Sequence, residues 1–203
     1  MSSHLLLPAF YLPPVSYFHA IKQQGSPVLL LEQHEHYAKQ SYRTRAKIAT
    51  ANGILDLIVP IVHGRKEHVP MKDIRINYEH DWQRLHWLSL QTAYRSSPYF
   101  EYYEDDFYQF YDRKHDFLFD FNRAQLGLIL KCLKMDLAIE LTESFATQVE
   151  YKDIRGAIHP KREKFWPEQP AYYQVFEERH GFLPDLSVVD LLFNQGPQSK
   201  SFL

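Results

Sequence analysis

Two short, wholly apolar runs on either side of an amphipathic stretch constrain this chain more than any other feature. Leu5, Leu6 and Leu7 form the first run, and Val28, Leu29, Leu30 and Leu31 the second. Such runs, bounded by turn formers, read as strands buried on both faces. Proline cannot donate to a strand ladder, so Pro8 ends the first run. Pro13 and Pro14 then permit a turn and start a helix over residues 15–23, with Tyr17, Phe18 and Ile21 at helical spacing. Gly25, Ser26 and Pro27 stop it. A strand, a helix and a second strand in this order predict a β-α-β unit, the usual opening of an α/β domain.

The pattern then changes. Residues 41–49 and 54–62 flank Thr50, Ala51, Asn52 and Gly53, and Asn-Gly between apolar arms predicts a β-hairpin. Residues 64–68 read as a polar loop. Residues 81–95 predict a helix with Trp82, Leu85, His86, Ser89, Leu90 and Ala93 on one face, broken by Ser96, Ser97 and Pro98. A second helix over residues 100–113 turns Tyr103, Phe107, Phe110 and Tyr111 inward. A third begins at Asn122 as N-cap, with Gln125 three residues on, and runs to Lys134. Residues 139–142 read as a short strand. Residues 153–170, punctuated by Pro160, Pro167 and Pro170, read as irregular, a length at which loops are often functional. A last helix over residues 188–194 is capped by Ser187, has Asp190 at N3, staples Leu186 to Leu191 and stops at Gly196 and Pro197. The expected architecture is α/β: a single domain over residues 1–203, a mixed sheet with an opening β-α-β unit and a β-hairpin, packed by helices.

Composition excludes several classes. With 45% apolar and 24% charged residues, neither disorder nor a membrane protein is indicated. A net charge of −2 argues against a strongly electrostatic nucleic-acid binder. The lone Cys132 permits no intrachain disulfide, fits a reducing compartment, and reads as a small buried hydrophobe in an apolar run rather than as a nucleophile. The first residues have no basic region and too short an apolar run for a signal peptide, and no stretch approaches the ~18 apolar residues of a membrane span. A cytoplasmic location without membrane insertion is expected.

Several stretches now coincide with a known family. They are Tyr11-Leu12-Pro13-Pro14-Val15-Ser16-Tyr17-Phe18; Arg43-Thr44-Arg45-Ala46-Lys47-Ile48 leading to Gly53 and Val59-Pro60; Trp82 with His86-Trp87; Tyr94 with Pro98-Tyr99-Phe100; and residues 186–196. Together, and in order over nearly the whole chain, they resemble the WbqC-like family. Its members look like proteins of O-antigen and related glycan clusters, for which transfer of glycine or another small acyl group to a sugar has been suggested. The resemblance therefore implies bacterial surface-polysaccharide assembly and an acyl or aminoacyl (glycyl included) transferase. Many members have a His-Gln-Pro start and a Trp and Gly before the Tyr-Phe pair. Here Leu7-Pro8-Ala9, Pro14 and Ser16 stand instead, so no role is carried over to those positions.

Four sets of residues are candidates for chemistry. On a strand, Arg43, Arg45 and Lys47 share one side, and three cations in a row repel unless an anion lies across them. The diphosphate of a nucleotide sugar or a phosphopantetheine arm would do so; the alternative is a solvated edge strand. His86, on the Trp82 helix, is a candidate proton acceptor or a packed core histidine. Tyr11 and Tyr17 follow the first strand, where α/β sheets place their ligand crevice, and with Trp82 are candidate sugar contacts; alternatively the tyrosines only lock the helix start. His34 and His36, with His63, His68 or His86, are a weak metal set without supporting motifs. The acidic Glu104, Asp105 and Asp106 read as solvated. No Gly-rich phosphate loop and no nucleophile elbow occurs. The expected protein is a transferase using an acyl or aminoacyl donor and no metal. Its rivals are a non-catalytic glycan- or partner-binding protein of the same pathway, and a metal-dependent hydrolase built on His34 and His36.

Overall fold

The structure is a computed structural model of the chain and describes residues 4–62, 68–145, 147, 150–162 and 165–203. The apolar runs form the predicted unit. Strands β1 (His4–Pro8) and β2 (Val28–Glu32) pair in parallel with Leu6 opposite Leu30, and helix α1 (Val15–Gln24) connects them. Leu5, Leu6 and Leu7 are fully buried, which is why their run shows no polar alternation. Gly25 caps α1 at φ 60°, a left-handed conformation that suits glycine.

Strand β3 (Arg45–Thr50) pairs antiparallel with β4 (Gly53–Ile58) as the predicted hairpin. Its first arm is shorter than expected. Residues 41–44 are a turn, because Ser41 Oγ bonds the Ala38 carbonyl and accepts from the Arg43 N–H, which competes with strand pairing. Strands β5 (Ala138–Leu141) and β6 (Lys152–Asp153) complete a four-stranded sheet in the order β5-β2-β1-β6. All its pairings are parallel, so parallel and antiparallel strands lie in two separate sheets rather than one mixed sheet. Most of the polar loop expected at residues 64–68 lies outside the described residues.

Among the described residues, four further helices besides α1 and the short α5 (Glu177–His180) pack around these sheets. Helix α2 (Trp82–Tyr94) buries Trp82, Gln83, His86, Trp87, Leu90, Ala93 and Tyr94, while Leu85 is 54% exposed. The inward face is rotated from the expected one because two large rings, Trp87 and Tyr94, outweigh one leucine; Trp87 packs on Tyr108 and Tyr111. Helix α3 (Phe100–Tyr108) is shorter than predicted, yet Phe110 and Tyr111 beyond it are still buried. Helix α4 (Leu118–Cys132) begins before the predicted cap. Asn122 is not an N-cap but a fully buried interior residue whose Nδ2 donates to the carbonyls of Ala9 (3.1 Å) and Arg43 (2.8 Å). Among the described residues no helix is long and apolar enough to cross a membrane.

Helix α6 (Val188–Gln195) is almost wholly buried. Ser187 Oγ caps it by accepting from the Val189 N–H, as predicted. Phe193 lies at the centre of Tyr94, Phe100, Tyr103 and Phe107, joining three helices through one ring. Asp190 does not serve the cap. Its carboxylate accepts from Tyr94 (2.8 Å), Tyr172 (2.8 Å) and Gln174 (3.0 Å) and ties residues 172–174 to α2 and α6.

Asp190→Ala is expected to destabilise the fold by roughly 3 kcal/mol or more, since three buried donors lose their acceptor at about 1–3 kcal/mol each; urea unfolding measures this. Burial pushes the Asp190 carboxyl up to about 6, although its three hydrogen bonds pull down. A carboxyl raised in the folded state gives stability that is full below its unfolded pKa and is lost as pH rises through about 6. The wild type should therefore lose stability relative to Asp190→Ala between about pH 4 and 6. Equal pH slopes would contradict this.

Candidate functional site

The carboxyl ends of a parallel sheet are where α/β proteins open their crevices. Here Pro8 and Glu32 end β1 and β2 side by side, and Asp153 ends β6 beside Leu6. Three arginine–carboxylate contacts cluster above them. Arg43 holds Glu35 with two parallel bonds, Nε to Oε1 at 2.8 Å and Nη2 to Oε2 at 2.6 Å. Arg155 gives Nη1 to Glu32 at 2.9 Å and Nη2 to Asp153 at 2.7 Å. Glu32 also accepts from Thr142 Oγ1 and the His34 N–H. Burial pushes the Glu35 carboxyl up, while the Arg43 guanidinium pulls it down.

A crevice of about 470 Å³ opens over this layer, lined by Glu35, His36, Arg43, Arg155, His159 and Arg162. A smaller hollow of about 250 Å³ adjoins it and shares Ile158, His159 and Arg162 as a common wall. Lys47, Tyr42, Phe165 and Asp185 line the smaller side. Arg162 gives Nη1 to the Gly156 carbonyl, and Lys161 bonds the Gln40 side chain, so both positive charges meet neutral partners. Burial and the charges of Arg162, Arg43 and Lys161 hold the His159 ring below the usual imidazole range, which favours the neutral ring. His159 Nδ1 accepts from the Lys161 N–H at 3.2 Å. A neutral ring has one proton, which therefore sits on Nε2 as a donor.

The cationic stripe is only half present. Arg45 and Lys47 share a face of β3 opposite Ala46 and Ile48, as strand alternation requires. Arg43 lies in the preceding turn and lines the crevice, whereas Lys47 lines the smaller hollow. Arg45 is held away by Asp56 at 3.0 Å. Two of the three cations thus meet across one wall.

Tyr11, Tyr17, Trp82 and His86 are core residues. Tyr11 and Tyr17 are wholly buried. Their turn is zipped to the end of the chain: Leu12 adopts φ 38°, its carbonyl accepts from Ser187 Oγ, and the Val188 N–H bonds Pro13. Tyr17 donates to the Pro8 carbonyl at 3.0 Å. His86 is 6% exposed, with the edge of Trp82 against it at 5.0 Å. Its Nδ1 lies 2.9 Å from the Tyr11 hydroxyl, which lies 2.9 Å from that of Tyr111. The ring also bonds the Ile58 backbone, while burial lowers its pKa to about 4. A buried imidazole bonded on both sides, with its pKa lowered by burial, fits the packed-core alternative for His86.

His34 and His36 do not share a strand, because β2 ends at Glu32. His34 bonds the Thr142 carbonyl and His36 packs on His68. His63 lies outside the described residues, and among the described ones no three His, Cys, Asp or Glu are grouped to hold a metal. Burial raises the Cys132 thiol to about 11, which fits an unreactive role. Sequence reading did not single out Glu32, Glu35, Asp153, Arg155, His159, Arg162 or Asp185. Two signals pointed their way: a glutamate directly after a buried apolar run, and the long irregular segment after residue 153.

His86 should keep a neutral ring down to about pH 5, read from its imidazole carbon shifts by NMR. A group lowered in the folded state gives stability that is present above about 6.5 and is lost as pH falls toward about 4. Titration of His86 near 6.5 would show that it is not embedded as described.

The uncharacterised protein Rv1507c of Mycobacterium tuberculosis (strain ATCC 25618 / H37Rv) is 25% identical over 193 residues, covering 82% of this chain and 83% of that one. No solved structure matches the chain. A family model matches residues 9–160, which include Glu35, Arg43, Arg155 and His159 of the crevice, and on that match the chain belongs to the WbqC-like protein family.

Proposed function

We propose that the crevice binds the phosphate part of a sugar precursor of the nucleotide-sugar class, and that the chain transfers an acyl or aminoacyl group onto it in bacterial surface-glycan assembly. One observation carries this reading: Arg162 in the wall shared by the two hollows, at the carboxyl end of a parallel sheet, and Lys47 on the smaller side have no carboxylate ion pair among the described residues. Arg43 and Arg155 are held rigid by carboxylates and line the crevice. Arginine forks match phosphate oxygens, and preset donors need no reorganisation when charge develops.

In the transfer step, an acceptor amine or hydroxyl attacks the carbonyl of the donor. Nε2–H of His159 donates to the oxygen that becomes negative. His36 lines the same crevice and takes the proton of the attacking group, which the leaving group later receives. The remaining rate gain comes from holding both partners in place.

A second reading is a non-catalytic binding protein of the same pathway. It draws on the state of the carboxylates: Glu32, Glu35 and Asp153 are each engaged by an arginine, so none of the three stands ready as a base.

Thermal shifts with UDP-glucose, acetyl-CoA and glycyl donors test the first reading, since a ligand of the folded state raises Tm. A nucleotide sugar should raise Tm, and Arg162→Ala should abolish the rise. A shift that survives Arg162→Ala would defeat the anion site. With a donor found, His36→Ala should cut kcat by about 10²–10⁴ while leaving the Tm shift intact. Binding without any turnover by the wild type would favour the second reading.

A further inference from the structure

Strand β4 has one partner strand and one open edge. Among the described residues it pairs only with β3. In an antiparallel ladder, residues of a non-hydrogen-bonded pair turn their N–H and C=O groups away from each other. The outer edge of β3 shows which pairs these are. The Lys47 carbonyl accepts from the Ser187 N–H at 2.8 Å, and the Ala49 N–H donates to the Tyr94 hydroxyl at 3.3 Å. Their partners across the hairpin are Asp56 and Ile54. These two therefore turn two N–H and two C=O groups outward, and among the described residues nothing bonds them. The next outward residue, Ile58, is engaged through its backbone by the His86 ring. Exposed edges are ordinarily blunted by lysine, proline or a bulge. Residues 53–58 hold neither lysine nor proline, and their register with β3 is unbroken. The single charge, Asp56, is held by Arg45 at 3.0 Å. Beside the edge, Leu55 and Leu88 of α2 line a hollow of about 480 Å³, with Leu85 one turn away. Ile54, Leu55, Ile58, Leu85 and Leu88 are each between 38% and 54% exposed. Together they leave roughly 400 Å² of apolar surface in water. A standard interface covers about 800 Å² per partner, a little over half of it apolar, so this patch supplies the apolar share of one.

We propose that β4 pairs with β4 of a second copy of this chain about a two-fold axis. A two-fold sets identical strands antiparallel, so one patch serves both sides. Only one register uses every open backbone group. With Leu55 on the axis, Ile54 of each copy faces Asp56 of the other, and the outward N–H and C=O groups of both residues are all paired. The two Leu55 side chains then meet beside Leu88, and the two Asp56 carboxylates stay apart. An axis on Asp56 would set like charges directly opposite each other. It would also call on the Ile58 backbone, which His86 already holds. The two hairpins thus join into one four-stranded antiparallel sheet, and neither copy keeps an open apolar edge.

Sedimentation velocity and cysteine cross-linking test this. The wild type should sediment as a dimer at micromolar concentration. Leu55→Lys and Leu88→Lys each place a charge in the joint and should weaken the dimer by about a hundredfold or more. Both positions are part exposed, so circular dichroism should match the wild type. If Leu55→Lys unfolds, Leu88→Lys decides. Under mild oxidation Leu55→Cys should give a covalent dimer, because opposed residues of a non-hydrogen-bonded pair lie about 4.5 Å apart at Cα, within disulfide reach. Ile54→Cys and Asp56→Cys are offset from their own copies and should cross-link no more than the wild type, whose one thiol is Cys132. A monomeric wild type with no cross-link through Leu55→Cys would overturn the proposal. So would a dimer that both lysine variants leave intact, since it would use another face. Cross-linking through Ile54→Cys or Asp56→Cys instead of Leu55→Cys would overturn the register on which the pairing rests. A different protein bound in equal amount and released by Leu88→Lys would overturn the second copy as the occupant.

Discussion

The buried pair Glu35–Arg43 holds together the parts from which the rest of this molecule is built. Both side chains are nearly out of solvent, so each charge has lost most of its hydration. Only a parallel two-bond fork offsets that loss, and it demands one geometry. The same residue is tied through its backbone. The Arg43 carbonyl shares the Asn122 amide with the carbonyl of Ala9. The exit of β1, the loop after β2, the approach to the hairpin and helix α4 therefore meet at one point. Burying an ion pair gains little net stability, but it penalises every arrangement that would leave one partner unpaired. A crevice with fixed guanidinium groups is a consequence of that penalty.

Around this point the core is built from rings. Fourteen phenylalanines and fourteen tyrosines give it bulk, and the buried tyrosines need partners for their hydroxyls. Tyr94 and Tyr172 converge on Asp190, Tyr111 bonds Tyr11, which bonds His86, and Tyr17 bonds the Pro8 carbonyl. A hydroxyl lost to an apolar environment without a partner costs more than the bond itself gains. These small polar centres thus select one packing among the many that interchangeable rings would allow. His86 and Asp190 belong to this scaffold. Both carry chemistry-bearing groups, and both spend them on the core.

The β-α-β opening, the Asn-Gly hairpin, the long helices and the stop at Gly196 were all legible along the chain, because each depends on neighbours within a few residues. Where the reading slipped, distant contacts had won. Asn122 looked like a helix cap and is an interior bridge to Ala9 and Arg43. Leu85 looked inward by spacing and is displaced by the larger ring of Trp87. Asp190 satisfied a capping pattern and instead faces three donors from elsewhere in the chain.

The site was less legible than the fold. Arg43 and Lys47 were picked out as cations that an anion would bridge, and they do meet across a shared wall, but not along one strand. By itself the sequence determined the local elements, the α/β class and the family likeness, since periodicity, turn chemistry and composition act over short spans. Tertiary structure alone decided which charges are paired and which are left facing a cavity. Glu32 and Arg155 are 123 positions apart, and Ser16 and Asp185 are 169 apart. No pattern along the chain encodes such meetings, because they arise only when the parallel sheet brings its strand ends side by side.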